Sequence, residues 1–146
     1  MELQELGYNY RIPDILCALG ISQLSRANQG LERRREIARK YDEAFRESNI
    51  SIHIPPKNIN HAYHLYVIEV ENRKELYDIL RSFGIYAQIH YVPLHTMPYY
   101  QKLGNKWGDM PNAEKYYERC LSLPMYPSLT EQEQDYVIDK VLKNAN

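Results

Sequence analysis

Residues 61–92 read HAYHLYVIEVENRKELYDILRSFGIYAQIHYV, and their periodicity changes twice. From His61 to Val70 the stretch is rich in Tyr, Val and Ile and alternates with a period of two, as a half-buried strand does. Asn72 then opens a predicted helix that runs to Phe83 and stops at Gly84, a residue that ends helices at no steric cost. Ile85 to Val92 returns to a strand pattern. A weaker alternation over Ile50–Ile54, halted by Pro55-Pro56, adds a strand in front, so the whole unit is predicted as β-β-α-β.

Working outward toward the C-terminus, helices are predicted at about Met97–Leu103, Pro111–Leu121 and Thr130–Lys143. Thr130-Glu131-Gln132-Glu133 has the spacing of a capping box. Gly104–Gly108 is the best candidate for a mobile loop. Toward the N-terminus, Asp14 to about Ala27 places Ile15, Ala18, Leu19 and Leu24 roughly on one helical face. A second, longer helix is predicted from Leu31 to near Glu47, with Leu31, Ala38, Tyr41 and Phe45 recurring near a 3.6-residue period. Residues 1–47 offer these two helices no strand to pack on, so their apolar faces are expected to need something outside the chain. The expected class is therefore α/β (α+β). Residues 48–146 form a small, mostly antiparallel sheet with flanking helices, and residues 1–47 precede it as a loop and two-helix arm.

Composition narrows the partners. Apolar residues make up 44% and charged residues 25% of the 146, the balance of an ordinary globular protein. With 18 basic and 19 acidic side chains, and Arg33–Arg35 offset by Glu32 and Glu36, the chain has no field to hold a nucleic acid or an anionic bilayer. It also has no run of about 18 apolar residues to span a membrane, and a soluble, cytoplasmic protein is expected. Cys17 and Cys120 make no CxxC pair and are expected as two buried free thiols. Tyrosine is in surplus, 14 against two Phe and one Trp. That surplus suits half-buried surfaces at a subunit boundary or a polar ligand cleft, and equally a core that uses Tyr where Phe would serve.

Two constellations could carry chemistry. Gly7-Tyr8-Asn9-Tyr10-Arg11 places an amide and a guanidinium two residues apart in a loop before a helix, where Asn9 and Arg11 could grip one anion with help from the helix N-terminus. A surface loop with Arg11 in a salt bridge explains the same residues. His90-Tyr91-Val92-Pro93-Leu94-His95, at the end of the third predicted strand, gathers two imidazoles and a phenol, a set suited to the edge of a polar ligand. Zinc is one alternative for it, and an inward His90 satisfying a core hydrogen bond is another. His61 and His64 should face opposite sides of their strand and so play a structural role. There is no GxSxG elbow, no Cys with a nearby His and no phosphate loop, so the chain contains no self-contained active site.

The words Gly7-Tyr8-Asn9-Tyr10-Arg11-Ile12-Pro13-Asp14-Ile15, Ala18-Leu19-Gly20-Ile21-Ser22-Gln23-Leu24 and Glu32 to Tyr41 come in an order and spacing that resembles the DegT family of sugar aminotransferases. His61 to Tyr66, His90 to His95 and Leu121 to Pro127 look like that family's C-terminal domain, so the resemblance covers nearly the whole chain. His90 to His95 with Pro98-Tyr99-Tyr100, followed by Pro111 to Glu114, is most similar to the transaminases of the pseudaminic-acid pathway. Those enzymes aminate C4 of a UDP-linked 4-keto-6-deoxy-N-acetylhexosamine, usually from glutamate.

The resemblance implies a fold-type-I, pyridoxal-phosphate-dependent enzyme that works as a dimer, with the active site at the subunit boundary. Asn9 and Arg11 would contact the cofactor phosphate or substrate anions of the partner subunit. His90, Tyr91 and His95 would line the sugar-nucleotide side. The family's large domain supplies the aromatic lid, the Asp that pairs with the pyridine nitrogen and the Ser-x-Ser-x-x-Lys that holds the cofactor covalently. That motif is absent from these 146 residues. The chain is thus expected to act as the C-terminal part of a transaminase, to need the large domain and to be inactive alone. A sugar-nucleotide dehydratase, in which His replaces that lysine, and a non-catalytic binding or dimerisation module are the alternatives.

Overall fold

The computed structural model describes residue 8 and residues 10–145. Its sheet has three antiparallel strands in the order β1-β2-β3: Ser51–Ile52, Tyr66–Glu69 and Cys120–Leu123. Around it run α1 (Asp14–Leu24), α2 (Ala27–Phe45), α3 (Arg73–Ser82), α4 (Pro98–Gln101), α5 (Pro111–Arg119) and α6 (Glu131–Asn144), with a 3-10 turn at Leu94–Thr96. The expected α/β class, with a small antiparallel sheet and flanking helices, is what is observed.

Local signals set several of these elements. Thr130 and Glu133 close the capping box: the Glu133 N–H donates to Thr130 Oγ1 at 3.2 Å, and the Thr130 N–H donates to Glu133 Oε2 at 2.9 Å. At the end of α3, Gly84 adopts φ 76°, the Gly84 N–H donates to Arg81 O and the Ile85 N–H donates to Leu80 O. This is the Schellman arrangement, which a side chain at residue 84 would strain. Asn72 precedes α3, yet its side chain makes no cap. Its amide donates instead to the Asn144 carbonyl at 2.9 Å and so ties the start of α3 to the end of α6.

Long-range pairing overrules the sequence pattern in three places. The strand expected over Ile85–Val92 is reduced to a single bridge, in which Gln88 and Ser122 exchange two backbone hydrogen bonds of 3.0 and 2.7 Å. The third strand is Cys120–Leu123, where the sequence suggested the end of a helix. These four residues are all buried, and a short continuous apolar run cannot be told from a buried helix segment by periodicity. Pro124 follows at once, and having no N–H it cannot extend the ladder. The strand expected over His61–Val70 forms only at Tyr66–Glu69. Upstream, Tyr63 has φ 47°, and the carbonyls of His61, Tyr63 and His64 accept from arginine side chains of α2 rather than from a neighbouring strand.

The two N-terminal helices fare differently. Ile37, Ala38, Tyr41 and Phe45 of α2 are buried in the same cluster as Ile68 of β2, Leu121 of β3, Leu76 and Leu80 of α3 and Val137 and Val141 of α6. Tyr41 also donates its hydroxyl to Pro124 O at 3.0 Å, and the buried Gln134 side chain donates to Ile37 O at 2.8 Å. The second helix therefore finds its partner inside the chain, contrary to expectation. The first does not: α1 buries none of its residues, and Ile15, Leu19, Ile21 and Leu24 are all exposed. Cys17 on α1 is only half-buried, whereas Cys120 is fully buried as expected.

This difference is measurable. Phe45→Ala, which empties a site that is 1% exposed, should cost about 3–5 kcal/mol in urea unfolding. Leu19→Ser on α1 should change stability by less than ~0.5 kcal/mol.

Candidate substrate and cofactor site

The Gly84 corner launches the segment that carries His90. Ile85 and Ala87 point into the core, Gln88 pairs with Ser122, and His90 Nδ1 then lies 2.8 Å from Ser122 Oγ on β3. Ser122 is buried and His90 half-buried. The inward hydrogen bond foreseen as an alternative for His90 is thus made by one ring nitrogen, and Nε2 is left for another partner. The Tyr91 ring packs edge-on against His90 with centroids 4.7 Å apart and is itself 71% exposed. A cleft of about 420 Å³ opens beside His90, between Gly84–Gln88, the β3 end through Tyr126, and the start of α6.

His95 is held differently. Its Nε2 lies 2.7 Å from Glu114 Oε1 at the start of α5, with the two side chains 10% and 13% exposed. The Glu114 carboxylate also accepts from the Gly108 N–H at 2.8 and 2.9 Å and from the Met110 N–H at 3.2 Å. One carboxylate thus fixes an imidazole and pins residues 108–110, so the stretch expected as a mobile loop is anchored at its C-terminal end. The His95 hydrogen bond, working against partial desolvation and helped by the Gly108 and Met110 amides, holds the Glu114 carboxyl below the usual carboxylate range. Trp107 lies edge-on to His95 at 6.5 Å.

The anion-gripping pair lies at the other end of the chain. Asn9 is outside the described residues. Arg11 is exposed, three residues ahead of the first residue of α1, and beside it the exposed Tyr8 and Tyr10 rings lie 5.7 Å apart. His61 and His64 are not on a strand. The His61 ring packs edge-on against Tyr63 at 4.5 Å, and His64 lines the same cleft as His90. No three His, Cys, Asp or Glu side chains converge to hold a metal among the described residues.

Sequence reasoning did not single out Ser122 as a partner of His90, nor Glu114 as a partner of His95. Each lies 19 or more residues from the histidine it holds, beyond the reach of local spacing. In the sequence Arg34 is only one member of a charge run that Glu32 and Glu36 offset. Its Nη1 donates to the carbonyls of Tyr63, His64 and Met125 at 3.2, 3.3 and 2.8 Å, and so shapes the same edge of the cleft.

Residues 1–142 match the DegT/DnrJ/EryC1/StrS aminotransferase family. The chain belongs to that family. Among curated relatives, it is 38% identical over 149 residues to the spore coat polysaccharide biosynthesis protein SpsC of Bacillus subtilis, covering 96% of this chain and 38% of the relative. It is 35% identical over 144 residues to a UDP-4-amino-4,6-dideoxy-N-acetyl-beta-L-altrosamine transaminase of Campylobacter jejuni, covering 94% of this chain and 38% of the relative. Among solved structures, it superimposes with a TM-score of 0.89 and 31% identity on PseC of Helicobacter pylori, an aminotransferase involved in pseudaminic acid biosynthesis, covering 99% of this chain and 40% of the other. It corresponds to the C-terminal part of these aminotransferases and spans less than two fifths of the length of either curated relative.

The Glu114 hub has a pH signature of definite sign. Because its folded-state pKa lies below the ordinary 4.5, its contribution is complete above that value and is lost as pH falls through the lower, folded value. The amide NMR signals of Gly108 and Met110 should hold their positions at neutral pH and move together in that acid window. In Glu114→Ala both amides should lose exchange protection at neutral pH as well.

Proposed function

We propose that this chain is the C-terminal part of a pyridoxal-phosphate-dependent transaminase. That enzyme transfers an amino group from glutamate to a 4-keto-6-deoxy sugar linked to UDP, in polysaccharide or glycan biosynthesis. The observation that carries the reading is the likeness to the Campylobacter transaminase, 35% identical over 94% of this chain.

The residues present suit the cofactor's phosphate. An exposed guanidinium and a neighbouring amide just ahead of a helix N-terminus are the donor set a phosphate group requires, and Arg11 with Asn9 supplies it. In a dimer these two would reach the partner subunit's cofactor. Bound pyridoxal phosphate supplies the electron sink on which amine transfer depends. His90 would offer Nε2 to the sugar-nucleotide, since Ser122 occupies Nδ1, and Tyr91 would present an exposed ring and hydroxyl beside it. His95 would act from a ring fixed by Glu114, and so line the substrate side in one orientation.

The reading places the enzyme in the cytoplasm and its site at the boundary between two subunits. The lysine would come from a large domain, and this chain alone would be inactive. No helix among the described residues is long and apolar enough to cross a membrane.

Mixing the purified chain with a separately expressed large domain that bears the lysine should restore amine transfer from glutamate to a UDP-4-keto sugar, followed by mass spectrometry of the product. Arg11→Ala should weaken cofactor retention in that mixture about tenfold or more, the worth of a charge-assisted phosphate contact. Binding of the large domain with no amine transfer, or dehydration of the sugar instead, would reject the transaminase.

A further inference from the structure

The cleft beside His90 is larger than that one side chain needs and has a composition of its own. Tyr86, Tyr126 and Tyr136 line it with rings 65%, 42% and 43% exposed, and Leu123, Leu129 and Val137 supply apolar lining. Its volume of about 420 Å³ is in the range of pockets that hold small organic ligands. The Tyr136 hydroxyl donates to Phe83 O at 3.3 Å, so this ring is steadied by the α3 corner while its face stays partly open. We infer that this cleft binds the base of a nucleotide, a flat and uncharged aromatic ring, and leaves the phosphates outside.

Charge decides which end of a nucleotide enters. No Lys or Arg is among the residues lining the cleft, and one carboxylate is, that of Glu133. Its Oε2 accepts from the Thr130 N–H at 2.9 Å and the Thr130 hydroxyl at 2.8 Å, which keeps the carboxyl below the usual range and therefore ionised at neutral pH. A phosphate inside the cleft would face that negative charge with no Lys or Arg in the lining, because Arg81 and Lys140 are drawn over the Tyr86 and Tyr136 rings, 5.5 and 5.1 Å from their centroids. A base carries no charge and needs only aromatic faces and a few hydrogen-bonding edges. The Gln88 side chain and His90 Nε2 provide such edges, Gln88 held by its backbone bridge to Ser122 and His90 by the Ser122 hydroxyl.

This assignment rests on the proposed nucleotide-sugar substrate and deepens it. With the base beside the tyrosines, His90 stands at the junction between base and sugar. Tyr91 and His95, which do not line the cleft, are then left for the sugar end.

The test is an NMR titration of this chain, with ring-labelled tyrosine, against uridine, guanosine and inorganic diphosphate separately. A nucleoside should shift the ring signals of Tyr86, Tyr126 and Tyr136, and diphosphate should leave all three in place. Tyr86→Leu, at an exposed position where folding is not at stake, should weaken nucleoside binding about tenfold, the loss expected for one stacking face. Tyr126→Leu should do the same, and Tyr126→Phe should bind like the unaltered chain. If neither nucleoside moves the three rings at millimolar concentration while the Trp107 and core methyl signals remain those of the folded chain, the assignment is wrong. The same holds if diphosphate alone moves them. Amine transfer by the reconstituted enzyme with the Tyr86 and Tyr126 leucine variants at unchanged KM would overturn the cleft assignment and leave the transaminase standing. Nucleoside binding without any amine transfer would do the reverse.

Discussion

The guanidinium of Arg34 is the contact on which the placement of the site depends. It projects from α2 and donates from Nη1 to the carbonyls of Tyr63, His64 and Met125. Two of these precede β2 and the third follows β3, so one side chain satisfies backbone groups at the adjacent ends of two paired strands. The carbonyls of Tyr63 and Met125 are partly buried, and each left unpaired away from water would cost about 1–3 kcal/mol. Arg33 and Arg35 repeat the device on either side, the first donating to Leu129 O at 2.9 Å and the second to His61 O at 3.3 Å. The helix thus serves as a rack for chain that has left the sheet. His64, Met125 and Leu129, all lining the cleft, are held by it through their carbonyls.

Elements set by local chemistry were legible in the sequence. The capping box at Thr130 and the stop at Gly84 need only neighbours within six residues, and both formed as read. β3 was not legible, because what makes Cys120–Leu123 a strand is its pairing with Tyr66–Glu69, more than 50 residues away. The Arg33–Arg35 run shows the same limit. Its formal charge is offset by Glu32 and Glu36, and two short ion pairs with those residues do form. The interactions that organise the fold are those to carbonyls 26 to 96 positions distant, which a charge count cannot see. In the candidate site, the residue types at 90, 91 and 95 advertised a polar edge, but the partners that orient them lie on other elements.

The contrast between α1 and α2 follows from composition as much as from position. Helix α2 interleaves charged residues with Ile37, Ala38, Tyr41 and Phe45 and so buries one stripe while solvating the rest. Helix α1 is apolar nearly all round, with its large side chains spread over every face, and no single stripe on this chain could cover it. A helix of that kind is stable when surrounded, not when laid on a surface. Its exposure therefore fits the proposal that the chain works with a further domain.

The two halves of the candidate site are prepared to different degrees. His90 and His95 each commit one ring nitrogen to the protein, to Ser122 and to Glu114, so the rotamers of both imidazoles are fixed before any ligand arrives. Fixing them in advance removes about 0.5–1.5 kcal/mol of ordering cost per side chain from binding. Arg11 stands on the exposed arm ahead of α1, far in sequence from the rack that α2 provides. Under the proposed function, a substrate wall held by the core and a phosphate grip ahead of α1, which buries none of its residues, is the arrangement expected where the wall serves one subunit and the grip serves its partner. In that proposal neither half completes a site without the other.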